Sequence, residues 1–332
     1  MKLATFHDPV LGAPRVGLVT EDGLHPFAVR HTMRSLIEAG RDVLDRAADH
    51  ARATEPLDLA EVELLAPLEP ASVRDFVAFE EHVEGVRRSV DGAVGVPDAW
   101  YDAPAFYFTN PHAILAPDVE VPFPAACEAR DFELEVAVVV GGGVGEGRSV
   151  PPEEAGTYVF GYTILNDWSA RDLQGREMQV GLGPAKGKDF ATTLGPWIVT
   201  ADELEPHRDE DGFLDLLCTV SVNGTEVGRD RLSNIGWTFE TMIAYASRDS
   251  RVVAGDVLGS GTVGNGGCLA ELWGRHGAQE PKPLQAGDVV TLEVEGIGTL
   301  TNTVAVAPPA PELPPVRRRD GTSRAAARET SR

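Results

Sequence analysis

The sequence predicts an α+β protein that is dominated by β-strands. Runs of apolar and β-branched residues recur between glycine and proline turns at short intervals. Only short helical stretches interrupt them, and a regular alternation of strand and helix is missing, which disfavours a doubly wound parallel sheet. The 332 residues are 42% hydrophobic and 24% charged, which is a globular composition with enough length for one large core or two modest ones.

Residues 1–65 predict a small N-terminal domain. Short strands are expected at residues 2–6 and 15–20 with a turn at residues 21–23, and a helical stretch is expected over residues 32–51. The proline-containing segment at residues 65–70 marks the end of this unit.

Residues 71–307 predict a larger domain of strands and a few short helices. The strands are expected at residues 134–140, 197–200, 217–222 and 289–294. The helices are expected at residues 152–158, with Ser149 as the cap, and at residues 237–247.

Residues 309–332 predict a disordered tail rich in proline, alanine and arginine. Almost no large apolar residue occurs there, so nothing offsets the entropy cost of ordering the segment. Docking of the basic cluster at residues 317–319 on the acidic body is the alternative.

The charge balance disfavours a polyanion-binding protein. Fifty-two acidic residues against 29 basic ones give a formal charge of −23, which repels nucleic acid and anionic membranes. The acidic excess suits a hard cation, although a solvated acidic surface is the simpler interpretation.

The chain carries no sign of a membrane span, a secretory segment or a cysteine framework. No apolar run approaches the roughly 20 residues of a membrane helix, and residues 1–9 contain no basic cluster, so we expect a cytoplasmic protein. The three cysteines lie far apart without CxxC spacing, so we expect small buried thiols rather than a zinc ribbon or disulfides.

A glycine-rich run at residues 141–147 follows a predicted strand but lacks a phosphate-binding pattern. GxGxxG needs three glycines at fixed offsets that no frame here supplies, and GxxxxGK[ST] does not occur. A loop or hairpin turn is therefore expected.

The segment 131–138 alternates acidic and apolar residues. A strand places Asp131, Glu133 and Glu135 on one face, with same-face neighbours roughly 7 Å apart. Adjacent carboxylates at that spacing can bracket one cation. A solvated edge strand explains the same pattern and stays open.

Four further polar residues stand at candidate functional positions. Asp167 ends a strand-like run, where an N-cap is an equal explanation. Asp75 and His82 are seven residues apart and would share one face if their stretch is helical, although a lone histidine is more often a satisfied structural residue. Glu271 interrupts an apolar run and needs a partner, for which His82 is a candidate.

Together these segments resemble the fumarylacetoacetate hydrolase family over residues 71–307. Six blocks occur in the family's order: Asp75-Phe76 with His82, Phe106-Tyr107, Glu133-Leu134-Glu135, residues 166–172, residues 182–184 with 187–190, and Gly261-Thr262 with Glu271-Leu272. The resemblance implies a mixed β-roll catalytic fold, an SH3-like N-terminal domain and a homodimer.

The resemblance also implies a role for each site residue. The implied ligands of a divalent ion, Mg, Mn or Ca, are Asp75, Glu133, Glu135 and Asp167, while Asp131 is not a ligand. His82 would be the general base and Glu271 would orient it. The implied oxyanion site consists of Arg171, Gln174 and Lys188, and the implied substrate contacts are Tyr107 and Thr262.

The implied reaction is hydrolysis of a C–C bond in a small β-diketone acid such as fumarylacetoacetate or an acylpyruvate, as in aromatic amino acid catabolism. Decarboxylases, isomerases and hydratases of 2-oxo acids share the fold but generally lack the block of Asp75 and His82, so their chemistry is the alternative. A noncatalytic protein that retains the site is a third hypothesis.

Three departures from the family pattern affect the expected substrate contacts. Val77 stands where fumarylacetoacetases carry a tyrosine, and a second tyrosine is replaced near Met178-Gln179. The arginine that contacts the substrate carboxylate has only Arg87 and Arg88 as loose candidates.

Overall fold

The computed structural model describes residues 1–90, 92–143 and 145–316. Strands dominate these ranges, as the sequence predicts. The strands are β1 (Lys2–Asp8), β2 (Ala13–Thr20), β3 (Gly23–Pro26), β4 (Leu64–Leu65), β5 (Val73–Phe76), β6 (Phe106–Thr109), β7 (Ile114–Leu115), β8 (Glu120–Phe123), β9 (Arg130–Asp131), β10 (Leu134–Val140), β11 (Val159–Asp167), β12 (Ser169–Ala170), β13 (Thr192–Thr200), β14 (Leu217–Val222), β15 (Thr225–Arg231), β16 (Val257–Gly259), β17 (Val289–Val294) and β18 (Gly298–Val306). The α-helices are α1 (Met33–Ala39), α2 (Arg41–Arg52), α3 (Glu80–Val90), α4 (Pro152–Ala155), α5 (Arg171–Met178), α6 (Ala201–Leu204), α7 (Phe239–Ser247) and α8 (Leu269–His276).

An 11-stranded sheet forms the centre of the molecule. Its main order is β3-β2-β1-β13-β11-β10-β16-β5-β6, with β4 paired to β1 and β7 paired to β13. Strand β10 lies between β11 and β16, and all of its residues are buried. The solvated edge strand is therefore wrong for this segment, because both faces of β10 are covered.

A second sheet of five strands packs against the first. Its order is β15-β14-β17-β18-β8, and β14 and β17 match the strands predicted at residues 217–222 and 289–294. Val220 and Leu292 of this sheet share one hydrophobic core with Val136 and Val138 of β10. The mixed, strand-dominated architecture is thus confirmed.

The N-terminal strands continue the large sheet. Strand β1 pairs with β2 and also with β13, where Leu3 lies opposite Ile198, so hydrogen bonding crosses the boundary proposed at residues 65–70. The division into an SH3-like N-terminal domain and a catalytic domain stays a prediction. The helical stretch expected over residues 32–51 is present as two helices, because Gly40, at φ +78°, separates α1 from α2.

The two helix predictions in the larger region differ from the structure at their starts. Helix α4 continues as a 3₁₀ turn at Gly156–Tyr158, as expected in length, but Ser149 does not cap it. The Ser149 hydroxyl instead accepts a hydrogen bond from the Asp249 amide at 3.0 Å. Helix α7 begins after Thr238, whose hydroxyl accepts from the Thr241 amide at 3.2 Å.

The remaining sequence expectations fall partly outside the described residues. Residues 141–143 and 145–147 lie in a loop between β10 and α4, as expected, and the three cysteines are buried and unpaired. Residues 309–316 are exposed with no helix or strand, whereas residues 317–332, with the basic cluster, lie outside the described residues. Among the described helices, none has the length and apolar character needed to cross a membrane.

Candidate active site

Three strands of the large sheet each carry a carboxylate at the same end of the sheet, next to an apolar residue on the same face. Val73, Ala137 and Leu165 belong to the core beneath α1 and α2. Two residues further toward one end of the sheet, on the same face of each strand, stand Asp75 on β5, Glu135 on β10 and Asp167 on β11. Because Glu135 pairs with Leu165 and Gly259 of β16 pairs with Asp75, the register brings these carboxylates together.

Together with Glu133, these side chains form one buried cluster. One carboxylate oxygen from each of Asp75, Glu133, Glu135 and Asp167 lies within 4.8 Å of the others. Strand β16 carries Gly259 at the centre of the cluster, where a Cβ atom would stand 2.6 Å from Glu135 Oε2 and 2.7 Å from Asp75 Oδ1. A glycine is therefore required there for the carboxylates to approach one another.

The free oxygens of the cluster fit a divalent cation. Asp75 Oδ1, Glu135 Oε1 and Asp167 Oδ1 are buried and have no hydrogen-bond partner among the described residues. Unpartnered buried carboxylate oxygens are costly, and hard oxygen donors are the ligands that Mg, Mn and Ca prefer. The residues present thus fit the ion that the sequence resemblance implies.

Burial and mutual repulsion make the cluster difficult to ionise without a cation. Burial, followed by the charges of neighbouring carboxylates, raises the pKa of Asp75 and of Glu135 well above the ordinary range. Burial also raises the pKa of Asp167, although Lys188 opposes the shift. For Glu133, burial favours protonation, but Lys188 and Arg171 outweigh it and lower the pKa.

The three residues expected to form an oxyanion site do lie together, beside the carboxylates. Lys188 Nζ donates to Glu133 Oε2 and Asp167 Oδ2, both at 2.6 Å. Arg171 donates to Glu133 Oε1 at 2.6 Å and to Gln174 Oε1 at 3.1 Å. Most of their donors are thus directed at carboxylates, and an ammonium with three N–H groups retains one donor for a substrate.

Asp131 is not part of the cluster and instead anchors Arg171. Its carboxylate accepts from Arg171 Nε at 2.8 Å and from the backbone amides of Leu269 and Ala270, at 2.8 and 3.0 Å. Asp131 therefore fixes the guanidinium and the start of α8 at the same time.

His82 reaches the site from α3 rather than from a helix shared with Asp75. Asp75 belongs to strand β5 and α3 begins at Glu80, so the two residues do not share a helical face. His82 is 7% exposed. Burial lowers the pKa of His82 to about 4, so the ring is neutral near pH 7 and able to accept a proton.

The predicted hydrogen bond between His82 and Glu271 is not formed in this conformation. Glu271 Oε1 forms an ion pair with Arg275 Nη2 at 2.6 Å, and His82 Nδ1 lies 3.6 Å from Cys268 Sγ. Burial raises the pKa of Glu271 to about 7, although Arg275 opposes that shift. Glu271 Oε2 is buried without a partner among the described residues, so an acceptor remains available.

Helices α3 and α8 approach each other through two glycines. A Cβ atom on Gly85 would stand 2.5 Å from Glu271 Cγ, and one on Gly274 would stand 1.9 Å from the Gly85 carbonyl oxygen. Neither position therefore accepts a larger residue without a shift of the helices. This contact sets the separation of the elements that carry His82 and Glu271.

Of the two residues expected to contact substrate, Tyr107 is half-buried and Thr262 is buried, and both lie beside the carboxylates. Tyr107, on β6, donates its hydroxyl to Asp167 Oδ2 at 2.5 Å, and burial raises the pKa of this phenol well above the ordinary range. Thr262 is 2% exposed in the segment after β16, where the Gly261 amide donates to Glu135 Oε2 at 3.2 Å. In this conformation Tyr107 thus orients a carboxylate, and substrate contact by either residue stays a prediction.

Sequence reasoning missed several residues that shape the site. Asn166 accepts from the Glu133 amide at 3.0 Å, and its position beside Asp167 in the matched block was an available signal. The close approach at Gly259 and the thiol of Cys268 beside His82 depend on strand register and helix placement, so the sequence offered no signal for them.

Comparison with known proteins adds a family match. The family described as fumarylacetoacetate (FAA) hydrolase, C-terminal, matches residues 71–305. The fumarylacetoacetase of Arabidopsis thaliana is 30% identical, over 84% of this chain and 80% of the plant protein.

Two solved structures share the fold over nearly the whole chain. The 5-carboxymethyl-2-hydroxymuconate delta-isomerase of Mycobacterium smegmatis is 27% identical with a TM-score of 0.64, covering 93% of this chain and 100% of that one. The maleylpyruvate hydrolase of Sphingobium sp. SYK-6, solved with manganese(II) and pyruvate, is 22% identical with a TM-score of 0.68 at the same coverage. The similar proteins thus include both a hydrolase and an isomerase.

Proposed function

Because this chain belongs to the fumarylacetoacetate hydrolase family, we propose that it is a divalent-metal-dependent hydrolase that cleaves a C–C bond in a β-diketone acid of the fumarylacetoacetate or acylpyruvate type. The observation that carries the proposal is the buried cluster of Asp75, Glu133, Glu135 and Asp167, accompanied by a neutral buried His82. A hard-cation site and a neutral imidazole are the two components that hydrolysis of an enolisable dicarbonyl needs.

The four carboxylates would hold Mg, Mn or Ca through oxygen atoms. When bound, such an ion would act as a Lewis acid on the dicarbonyl oxygens and stabilise the enolate that leaves. The negative charge of four carboxylates also explains why Lys188 and Arg171 are needed next to Glu133.

His82 would remove a proton from a water molecule, whose oxygen then attacks the carbonyl carbon beside the bond to be broken. The C–C bond breaks, its electron pair remains on the enolate, and a proton delivered to the enolate carbon completes the second product. The remaining N–H group of Lys188 and the amide of Gln174 would meet the developing negative charge. Glu271 would orient His82 after release from Arg275.

Isomerisation, decarboxylation or hydration of a 2-oxo acid is the second candidate. It is favoured by the similarity to the mycobacterial isomerase, which extends over 93% of this chain. These reactions do not require water to attack a carbonyl next to a breaking bond, so they would not depend on His82 as the base for that water.

The test is the loss of the enol absorbance of fumarylacetoacetate and of an acylpyruvate, with Mg or Mn and with an EDTA control. We expect metal-dependent cleavage that falls by at least about 100-fold in His82→Ala, as for loss of a general base. His50→Ala, on the exposed end of α2, is the matched control and should retain activity. Oxaloacetate turnover without cleavage of either diketone, unchanged in His82→Ala, would support the second candidate instead.

Three further expectations accompany this proposal. A homodimer, a cytoplasmic location and a role in aromatic amino acid catabolism all follow from the sequence analysis and stay predictions. Sedimentation velocity of the purified protein checks the first of them.

A further inference from the structure

Lys188 reaches the carboxylate cluster from a segment without regular secondary structure. Residues 179–191 follow α5 and precede β13 with neither a helix nor a strand. The ammonium nitrogen nevertheless lies 2.6 Å from both Glu133 and Asp167, and the residue is 3% exposed. A long side chain on an irregular segment holds such a geometry only if its backbone is fixed.

The carboxylate of Glu177 supplies that restraint. This residue lies in the last turn of α5 and accepts three successive backbone amides: Ala185 and Gly187 donate to Oε1 at 2.6 and 3.0 Å, and Lys186 donates to Oε2 at 2.7 Å. The three donors are the residues immediately before Lys188. Hydrogen bonds to an ionised acceptor are shorter and stronger than those to a neutral one.

The segment also rests directly on α5. A Cβ atom on Gly187 would stand 2.7 to 2.8 Å from atoms of Gln174, so only glycine permits this approach. The Gly187 carbonyl accepts from the Ala170 amide at 2.8 Å, and the Lys188 amide donates to the Ala185 carbonyl at 3.0 Å. Helix α5 thus carries Arg171, Gln174 and Glu177 at three-residue intervals and holds the Lys188 backbone through the last of them.

We propose that Glu177 is a positioning residue, which fixes the backbone of residues 185–187 and thereby the ion pairs of Lys188 with Glu133 and Asp167. Glu177 has no hydrogen bond to the carboxylate cluster among the described residues and acts through Lys188. The consequence for catalysis rests on the proposed function. The placement of Lys188 does not, because the ion pairs exist independently of any substrate.

A double-mutant cycle on Mn²⁺ binding tests the proposal. The dissociation constant is measured by calorimetry for the full chain, Glu177→Gln, Lys188→Met and the double variant. We expect Glu177→Gln to change the Mn²⁺ dissociation constant at least about threefold, in the same direction as Lys188→Met. In the Lys188→Met background, we expect Glu177→Gln to change the dissociation constant by less than about twofold. Glu226→Gln removes an exposed carboxylate whose hydrogen bonds come from Arg229, and it should bind Mn²⁺ as the unmodified protein does.

Hydrogen exchange gives a second readout that needs neither metal nor substrate. The amides of residues 185–187 should exchange at least about tenfold faster in Glu177→Gln, because their acceptor is weakened. Glu177→Asp keeps the charge but shortens the reach, and serves the same comparison if the glutamine variant does not fold. Additive effects in the cycle, or unchanged exchange at residues 185–187, would overturn the proposal. Absence of diketone cleavage by the unmodified protein would refute the proposed function while leaving both tests of Glu177 intact.

Discussion

Replacing the His82 imidazole is expected to change how stability depends on pH. Burial lowers the pKa of His82 from 6.5 to about 4, so between these values the unfolded chain binds a proton that the folded chain does not. The free energy of unfolding therefore increases as the pH rises through this window and decreases as the pH falls. Over the interval from pH 6.5 to 5, at about 1.4 kcal/mol per pH unit, the loss is about 2 kcal/mol.

Glu271 acts in the opposite direction over nearly the same window. Burial raises the pKa of its carboxyl from 4.5 to about 7, so its contribution is fully present below pH 4.5 and is lost as the pH rises to 7. The corresponding magnitude is about 3 kcal/mol. In the unmodified protein the two effects offset each other, and each becomes visible when the other is removed.

Urea unfolding of the metal-free protein at pH 5, 6 and 7, followed by tryptophan fluorescence, measures both effects. Relative to the unmodified protein, His82→Gln should gain about 2 kcal/mol between pH 7 and 5, and Glu271→Gln should lose about as much or more. His50→Gln, on the exposed end of α2, is the matched control. Parallel pH curves for His82→Gln and the unmodified protein, within about 0.5 kcal/mol, would refute the reasoning.

Three further outcomes are expected. Glu135→Ala should abolish Mn²⁺ binding in calorimetry and turnover together, and a metal-free variant that remains active would remove the metal from the proposal. Tyr107→Phe should weaken Mn²⁺ binding by about tenfold, because Asp167 Oδ2 loses one of its two donors, and an unchanged dissociation constant would contradict this orienting role. Deletion of residues 309–332 should leave the melting temperature and turnover unchanged, whereas a fall of several degrees would indicate a docked tail.

The sequence predicted which segments form strands and which residues lie at the site better than it predicted the contacts among those residues. The alternation around Glu133 and Glu135 identified a strand, because a period of two is readable from one segment. Its burial on both faces was not readable, since it depends on β11 and β16, which are distant in sequence. Whether Asp75 and His82 share a helix stayed open, because eight residues with an apolar pattern suit a strand followed by a helix equally well.

The pairing of Glu271 shows a second limit of sequence reasoning. Arg275 is four residues further along α8, and such a pair is readable from helical spacing alone. Contact with His82 depends instead on how α3 lies against α8, which is a property of the tertiary packing. Sequence resemblance selected the residues, but the separation of the two helices determined which of them touch.

The glycine contact between α3 and α8 makes the distance between the two helices sensitive to the addition of a single methyl group. Gly85 and Gly274 have no side chain where the helices touch, so Gly85→Ala or Gly274→Ala would push the two helices apart. Neither substitution changes the chemistry of a charged group, but Gly85→Ala would also press on the side chain of Glu271. These two positions therefore offer a means of altering how the helices that carry His82 and Glu271 lie against each other.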